Sequence, residues 1–217
     1  MAGLRERKKQ RTRRALIEAA LRLFEEKGYA ETTLAEIAAE AEVSTRTFFS
    51  YFGSKEDLVF YDGPERLARA QALVAGRRPG ERPTALLLRL INASLDWASQ
   101  GGELTREEAE LRMQLVMTEP ALQGRALLEL FDTQLKLAAA LRASYADELD
   151  EVEAAAAVGA LVGAVKLAVI ANLDHDRSMP EIWATARRAA ELALGGLRSL
   201  DERAGSRLRS EPPGMAS

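Results

Sequence analysis

Apolar residues recur along this chain at three- and four-residue steps, and no segment sustains the alternation of a half-buried strand. The first stripe, Ala15, Leu16, Ala19, Leu23 and Phe24, predicts a helix from about Arg7 to Lys27, with Gly28 as its left-handed stop. Thr33 followed by Glu36 reads as a capping box, opening a short helix that buries Leu34, Ile37, Ala38 and Ala41. After Glu42 and Val43, Ser44 caps another short helix to about Tyr51, and Ser54 with Asp57 starts the next. These closely spaced starts predict a compact trihelical unit followed by a connector.

The connector is expected from Lys55 to Ala75 with an interruption at Gly63-Pro64, since proline lacks the amide and clashes with the preceding turn. Residues 76–83, rich in Gly, Pro and Arg, form the clearest loop. Beyond it every segment reads as helix: Thr84 to about Ser99, apolar on most sides; one opened by a Thr105…Glu108 capping box; a long one from Pro120 to about Tyr145; Asp150 to about Leu173; and one started by Ser178-Met179-Pro180-Glu181 and ending before Gly195-Gly196. The tail, residues 201–217, is expected to be disordered.

Composition narrows the function. Across 217 residues, 47% are hydrophobic, 29% charged and 6% aromatic, which fits a globular, helix-rich protein. No cysteine is present and His175 is the single histidine, so thiol chemistry, Cys-based zinc sites and most histidine-dependent catalysis fall away. His175 between Asp174 and Asp176 offers too few ligands for a metal, and no metal or cofactor is expected. The longest uncharged stretch, Ala154 to Val165, is about half of the ~20 residues that a membrane span needs, so a cytoplasmic protein without membrane contact is expected. The net charge of −3 is unevenly placed: residues 1–14 carry +6, from Arg5, Arg7, Lys8, Lys9, Arg11, Arg13 and Arg14 against Glu6. That basic leader is either a solvated, disordered segment or a strand of phosphate or minor-groove contacts.

Thr33 to Lys55 reads as helix, tight turn, helix, the arrangement that places a second helix in the DNA major groove. Phe48 and Phe52, four apart, anchor the core, which turns Thr45, Arg46, Phe49 and Ser50 outward. Arg46 can donate two bonds to guanine O6 and N7, Thr45 can meet a base edge or thymine methyl, and Phe49 can pack on a methyl or sugar. Thr33, Tyr51 and Lys55 offer groups that grip phosphates and set register.

This pattern closely resembles the N-terminal domain of the TetR family of bacterial transcriptional regulators. The resemblance runs from the basic arm through A-x-x-L-F-x-x-x-G-Y at Ala20 to Tyr29 and T-T-L-x-x-I-A at Thr32 to Ala38, to V-S-x-x-T-F-F-x-Y-F-x-S-K-E-D-L at Val43 to Leu58. It implies contacts to double-stranded DNA from Thr45, Arg46, Thr47, Phe49, Ser50, Tyr51 and Lys55, with Thr33 on the backbone. It departs from the family in Phe48-Phe49, where Leu-Tyr is frequent, and in the break at Gly63-Pro64.

The resemblance also implies an all-α architecture: a three-helix helix-turn-helix DNA-binding domain (residues 1–60), a connector helix, and a helical ligand-binding and dimerisation bundle (61–200). The last two long helices would pair with their copies in a homodimer. Ala154 to Ala157, Gly159, Ala160, Gly163 and Ala164 supply a small-residue surface, with Ile182, Trp183, Ala186 and Leu192 as bulk. The helices from Thr84 to Tyr145 would enclose an effector, with Trp97, Arg112, Met113, Met117, Leu127 and Phe131 as ligand-binding candidates and Leu111, Leu115 and Leu130 as further lining. The run Glu110 to Leu115 followed by Thr118-Glu119-Pro120 loosely resembles a subgroup binding acyl-CoA-like molecules, in which Arg112 would meet an anionic portion. The function expected is a ligand-responsive repressor, not an enzyme, released from a palindromic operator by a small molecule. The alternative is a helical protein–protein interaction module that docks through Phe48, Phe49, Tyr51 and Phe52.

Overall fold

A computed structural model describes residues 3–99, 106–172 and 178–196. Among them regular structure is entirely helical: α1 (Leu4–Lys27), α2 (Leu34–Glu40), α3 (Thr45–Phe48), α4 (Glu56–Val59), α5 (Gly63–Ala75), α6 (Pro83–Ser99), α7 (Arg106–Thr118), α8 (Pro120–Ser144), α9 (Glu151–Ala171) and α10 (Met179–Gly196). The Thr105 cap, the His175 loop and the tail at 201–217 lie outside the described residues.

Two expectations about the chain's course are corrected. The basic leader is not disordered from residue 4 onward: α1 begins at Leu4, so Arg5 to Arg14 form its first turns. Arg, Lys, Gln and Glu are good helix formers, and Gln10 Nε2 donates to Glu6 Oε1 at 3.1 Å one turn away. The connector is interrupted as expected, since α4 ends at Val59, but the break falls before Gly63-Pro64, which opens α5. Pro64 sits in the first turn of α5, where its missing amide has no intrahelical acceptor to lose, and the preceding turn is closed by Gly63 N–H on Phe60 O at 3.1 Å.

The chain divides into two compact units, residues 3–64 with 106–129, and residues 65–99 with 130–172 and 178–196. In the first, Leu16, Ile17, Ala20 and Phe24 of α1 pack with Ile37, Ala38, Phe48, Phe52, Leu58 and Val59. Leu115 of α7 and Leu122 of α8 join the same core, with Leu111 packed against it. Leu111 and Leu115, expected along an effector pocket, therefore serve the core that supports the helix-turn-helix.

In the second unit Leu86, Leu87 and Leu90 of α6 pack with Leu137, Leu141, Tyr145, Leu149, Ala157, Leu161 and Ala190. The loop at 76–83 is tied down. Buried Tyr145 donates its hydroxyl to Glu81 O at 2.8 Å, and Arg77 lies 3.9 Å from the Tyr145 ring centre while bonding Glu148 at 2.6 Å and Ser144 O at 2.8 Å. Arg89 grips Glu81 with two bonds, 2.7 and 2.8 Å. Asp150 and Glu153 form a reciprocal cap on α9, and Ser178 bonds Glu181 through both its amide and its hydroxyl at the start of α10.

By length and composition α9 is long and apolar enough to cross a membrane, because the helix runs past Lys166 to Ala171; 22% of its most apolar window is buried. Counting only the uncharged run underestimated it. Ala154, Ala157, Val158 and Leu161 face the unit's own core. Outward lie Val152, Ala156, Ala160, Gly163, Leu167 and Ile170, an exposed apolar stripe at alternating steps of four and three once past its first turn.

Candidate nucleic-acid interface

Local hydrogen bonding builds the helix-turn-helix. Thr33 caps α2 with a reciprocal box: Glu36 N–H reaches Thr33 Oγ1 at 3.3 Å, and Thr33 N–H reaches Glu36 Oε2 at 2.8 Å. Lys27 also bonds Glu36, and first this contact, then Thr33, holds the carboxyl at about 2, below its ordinary 4.5. At the far end Val43 N–H bonds Ala38 O at 2.9 Å and Glu42 N–H bonds Ala39 O at 3.0 Å. This is a Schellman closure, with Glu42 in the left-handed region at φ 53. Ser44 then caps α3, accepting from Thr47 N–H at 3.1 Å.

The α-helix of α3 ends at Phe48, earlier than Tyr51. Ser50 N–H bonds Thr47 O and Tyr51 N–H bonds Phe48 O, so the chain continues in tighter three-residue turns. Phe48 and Phe52 are buried as expected, and Thr45, Arg46, Phe49 and Ser50 face solvent. Two hydroxyls are used within the segment: Ser50 donates to Thr47 O at 2.6 Å, and Thr47 shares a bond with Ser44 at 2.9 Å. Tyr51 is half-buried against the core. Thr33 stays exposed at the head of α2.

Lys55 has partners inside the domain. Its ammonium donates to Tyr29 O at 2.5 Å and Thr32 O at 3.0 Å, and lies 4.1 Å from the Tyr29 ring centre. The Tyr29 hydroxyl donates to Glu56 Oε1 at 3.0 Å, and burial, reinforced by Glu56, raises its pKa. Lys55 thus ties the loop before α2 to the start of α4.

Arg13, within the basic leader, turns inward: its guanidinium donates to Tyr61 O at 2.6 Å and sits 5.0 and 5.8 Å from the Tyr61 and Phe52 ring centres. Its spacing to Leu16, Ile17 and Ala20 puts it on the inward stripe of α1, a signal present in the sequence. Arg14 is half-buried and paired with Glu18 at 2.6 Å and Glu108 at 3.3 Å, while Arg5, Arg7, Lys8, Lys9 and Arg11 are exposed.

The six effector candidates are not gathered in one cavity within either unit. In the first unit Met113, Met117 and Leu127 are 39%, 40% and 52% exposed, and Arg112 is paired with Asp62 at 2.7 Å beside the Tyr61 ring. In the second, Trp97 is half-buried and Phe131 is 55% exposed. A concavity of about 320 Å³ between α1 and α7 is lined by Glu18, Leu21, Arg22, Glu25, Glu107, Glu108 and Leu111 and contains none of the six. A smaller one, about 110 Å³, holds Phe131 with Gln134, Leu135, Ala138 and Ala155. Among the described residues no group of three or more His, Cys, Asp or Glu could hold a metal.

A capped α2, a closed turn and an outward polar face on α3, all seated on one apolar core, define a helix-turn-helix DNA-binding protein. Residues 16–61 match the family model described as bacterial regulatory proteins, tetR family. Over 152 residues the chain is 34% identical to the HTH-type transcriptional regulator TcmR of Streptomyces glaucescens, covering 69% of this chain and 67% of the relative. A 48-residue match to the HTH-type transcriptional regulator HbdR of Aromatoleum sp. (strain CIB) reaches 50% identity over 22% and 21% of the two chains. The solved structure of GusR from Salmonella enterica shares the fold, with a TM-score of 0.55 and 20% identity over 88% of this chain and 95% of that one. The chain belongs to the TetR family of transcriptional regulators.

Proposed function

We propose that this regulator is a repressor that binds a palindromic operator as a homodimer and is released by a small hydrophobic effector. The observation that carries this reading is the open stripe on α9. Val152, Leu167 and Ile170 are 76%, 69% and 41% exposed, and a Cβ built on Gly163 would meet nothing within 4 Å. Exposed apolar side chains at heptad-like spacing favour a second helix of the same kind, and Leu192 of α10, 71% exposed, adds a further open apolar side chain. Ala186 is not available for this role, being buried in its own unit.

Two-fold pairing gives two copies of α3, which read half-sites about 34 Å or more apart, so the operator is palindromic. In this reading residues 1–60 bind DNA, with Arg46 and Thr45 on base edges, Thr33, Thr47, Ser50, Tyr51 and Lys55 on the backbone, and Phe49 in apolar contact. Residues 61–200 dimerise and bind the effector. Arg112, already held by Asp62, favours a hydrophobic effector over recognition of an anionic acyl-CoA-like group. The effector acts by linkage: a hundredfold loss of operator affinity requires about 2.7 kcal/mol of differential binding to the released conformation, passed through α4 and α5. The relatives carrying this fold are named as regulators, and the chain is read as acting in the cytoplasm without catalysis.

Selection from random duplex DNA at two salt concentrations tests the reading. Enrichment of a palindrome is expected; weak, salt-sensitive binding without a motif overturns it.

A further inference from the structure

An exposed phenyl ring stands in the middle of the DNA-facing surface. Phe49 is 57% exposed, and its ring meets that of fully buried Phe48 edge-on, centroids 5.5 Å apart and planes at 85°. The core thus holds the ring in place while its outer face stays open. One helical turn away on the same face lie Thr45 and Arg46, both exposed. The hydroxyls of Thr47 and Ser50 are engaged within the segment, which concentrates the chemistry available to a base edge in Thr45, Arg46 and Phe49.

A phenyl ring has no hydrogen-bonding group for a phosphate or a polar base edge. The apolar group that base pairs present in the major groove is the thymine C5-methyl. We propose that Phe49 selects a thymine through this methyl, one or two base pairs from the guanine taken by Arg46. The spacing follows from geometry: side chains three apart on a helix start about 5–6 Å from each other, and base pairs are stacked about 3.4 Å apart. The inference rests on the reading that α3 enters the major groove.

The test uses the full chain and its selected operator, with each thymine replaced in turn by deoxyuridine, which removes only the methyl. At one position per half-site the replacement is expected to weaken wild-type binding about fourfold, the equivalent of one methyl-sized group no longer buried. Phe49→Ala should bind thymine and deoxyuridine operators alike, whereas Arg46→Ala should keep the deoxyuridine penalty. A selected operator that tolerates deoxyuridine everywhere, or a penalty that survives in Phe49→Ala, overturns the methyl contact and leaves operator recognition standing. Failure to select any motif overturns operator recognition itself, and this inference with it.

Discussion

The outward face of α3 and the outward stripe of α9 are both surfaces waiting for a partner, but their chemistry is opposite. On α3, polar groups and one guanidinium surround a single ring, with caps and turns satisfying the backbone. Along α9 the six positions of the stripe are Ala, Gly, Val, Leu and Ile, with the charged exposed residues of the helix, Glu151 and Lys166, outside it. Water solvates the first face well, so DNA can come and go. Apolar area left in water costs roughly 25 cal/mol per Å², so covering the second face gains free energy that covering the first does not. Under the proposed dimer, the contrast is one between a reversible contact and a constitutive one within a single chain.

The sharpest way to break this comparison is Gly163→Glu. In the isolated protomer the position is open, and Glu is a better helix former than Gly by about 0.5–1 kcal/mol, so the fold is not harmed. In a two-fold interface it brings two carboxylates into an apolar seam. Sedimentation is expected to show monomer with unchanged helical circular dichroism, and operator affinity should fall at least about a hundredfold as one half-site is lost. A dimer with intact affinity would refute the role given to the stripe.

In the proposed reading, Arg46 and Lys55 split the DNA face into reading and holding. Arg46→Ala should remove about 1–3 kcal/mol of discrimination at one base pair per half-site and leave the thermal midpoint unchanged. Lys55→Ala takes away an ammonium bonded to Tyr29 O and Thr32 O, and should cost about 1–3 kcal/mol of unfolding free energy while weakening all DNA sequences alike. If Lys55→Ala leaves stability untouched and lowers only the salt slope of binding, the residue is a phosphate contact alone.

A smaller effect is expected at Gly28, the stop of α1, with φ 91 and ψ 153. A Cβ there meets nothing, so Gly28→Ala tests backbone strain alone, and should destabilise by about 1–2 kcal/mol in denaturant titrations without altering operator preference.

Much of the helix-turn-helix was legible because its determinants are local. The Thr33–Glu36 box, the Ser44 cap and the Phe48–Phe52 anchor each lie within four residues, inside the reach of a spacing argument. Lys55 was legible only as a cation, since its acceptors are carbonyls 23 and 26 residues away. The turn at Glu42 carries a positive φ that no glycine announces. Leu111 and Leu115 join the first core through contacts with distant helices, which periodicity within α7 cannot specify. On α9 the small residues were visible, but Ala and Gly occupy both faces, so the sequence could not divide Ala157, turned inward, from Ala156, turned outward.

Acid separates the two units in a last and smallest way. Glu36 and Glu81 both titrate at about 2 in the folded chain, Glu36 held down first by Lys27 and Glu81 first by Arg89. A lowered folded value means that each carboxylate adds stability above its ordinary 4.5, and that this is lost as pH falls from about 4.5 to about 2. Their surroundings differ: the Glu36 side chain is 43% exposed and that of Glu81 only 9%. Salt screens exposed pairs far more than sheltered ones. Thermal unfolding between about pH 5 and 2 should therefore show Arg89→Met flattening the acid dependence at low and high salt, by about 1 kcal/mol or less. Lys27→Met should do so only at low salt. Equal salt sensitivity for the two variants would mean that Glu81 and Arg89 meet in open water, and that the tie on the loop before α6 is no firmer than a surface contact.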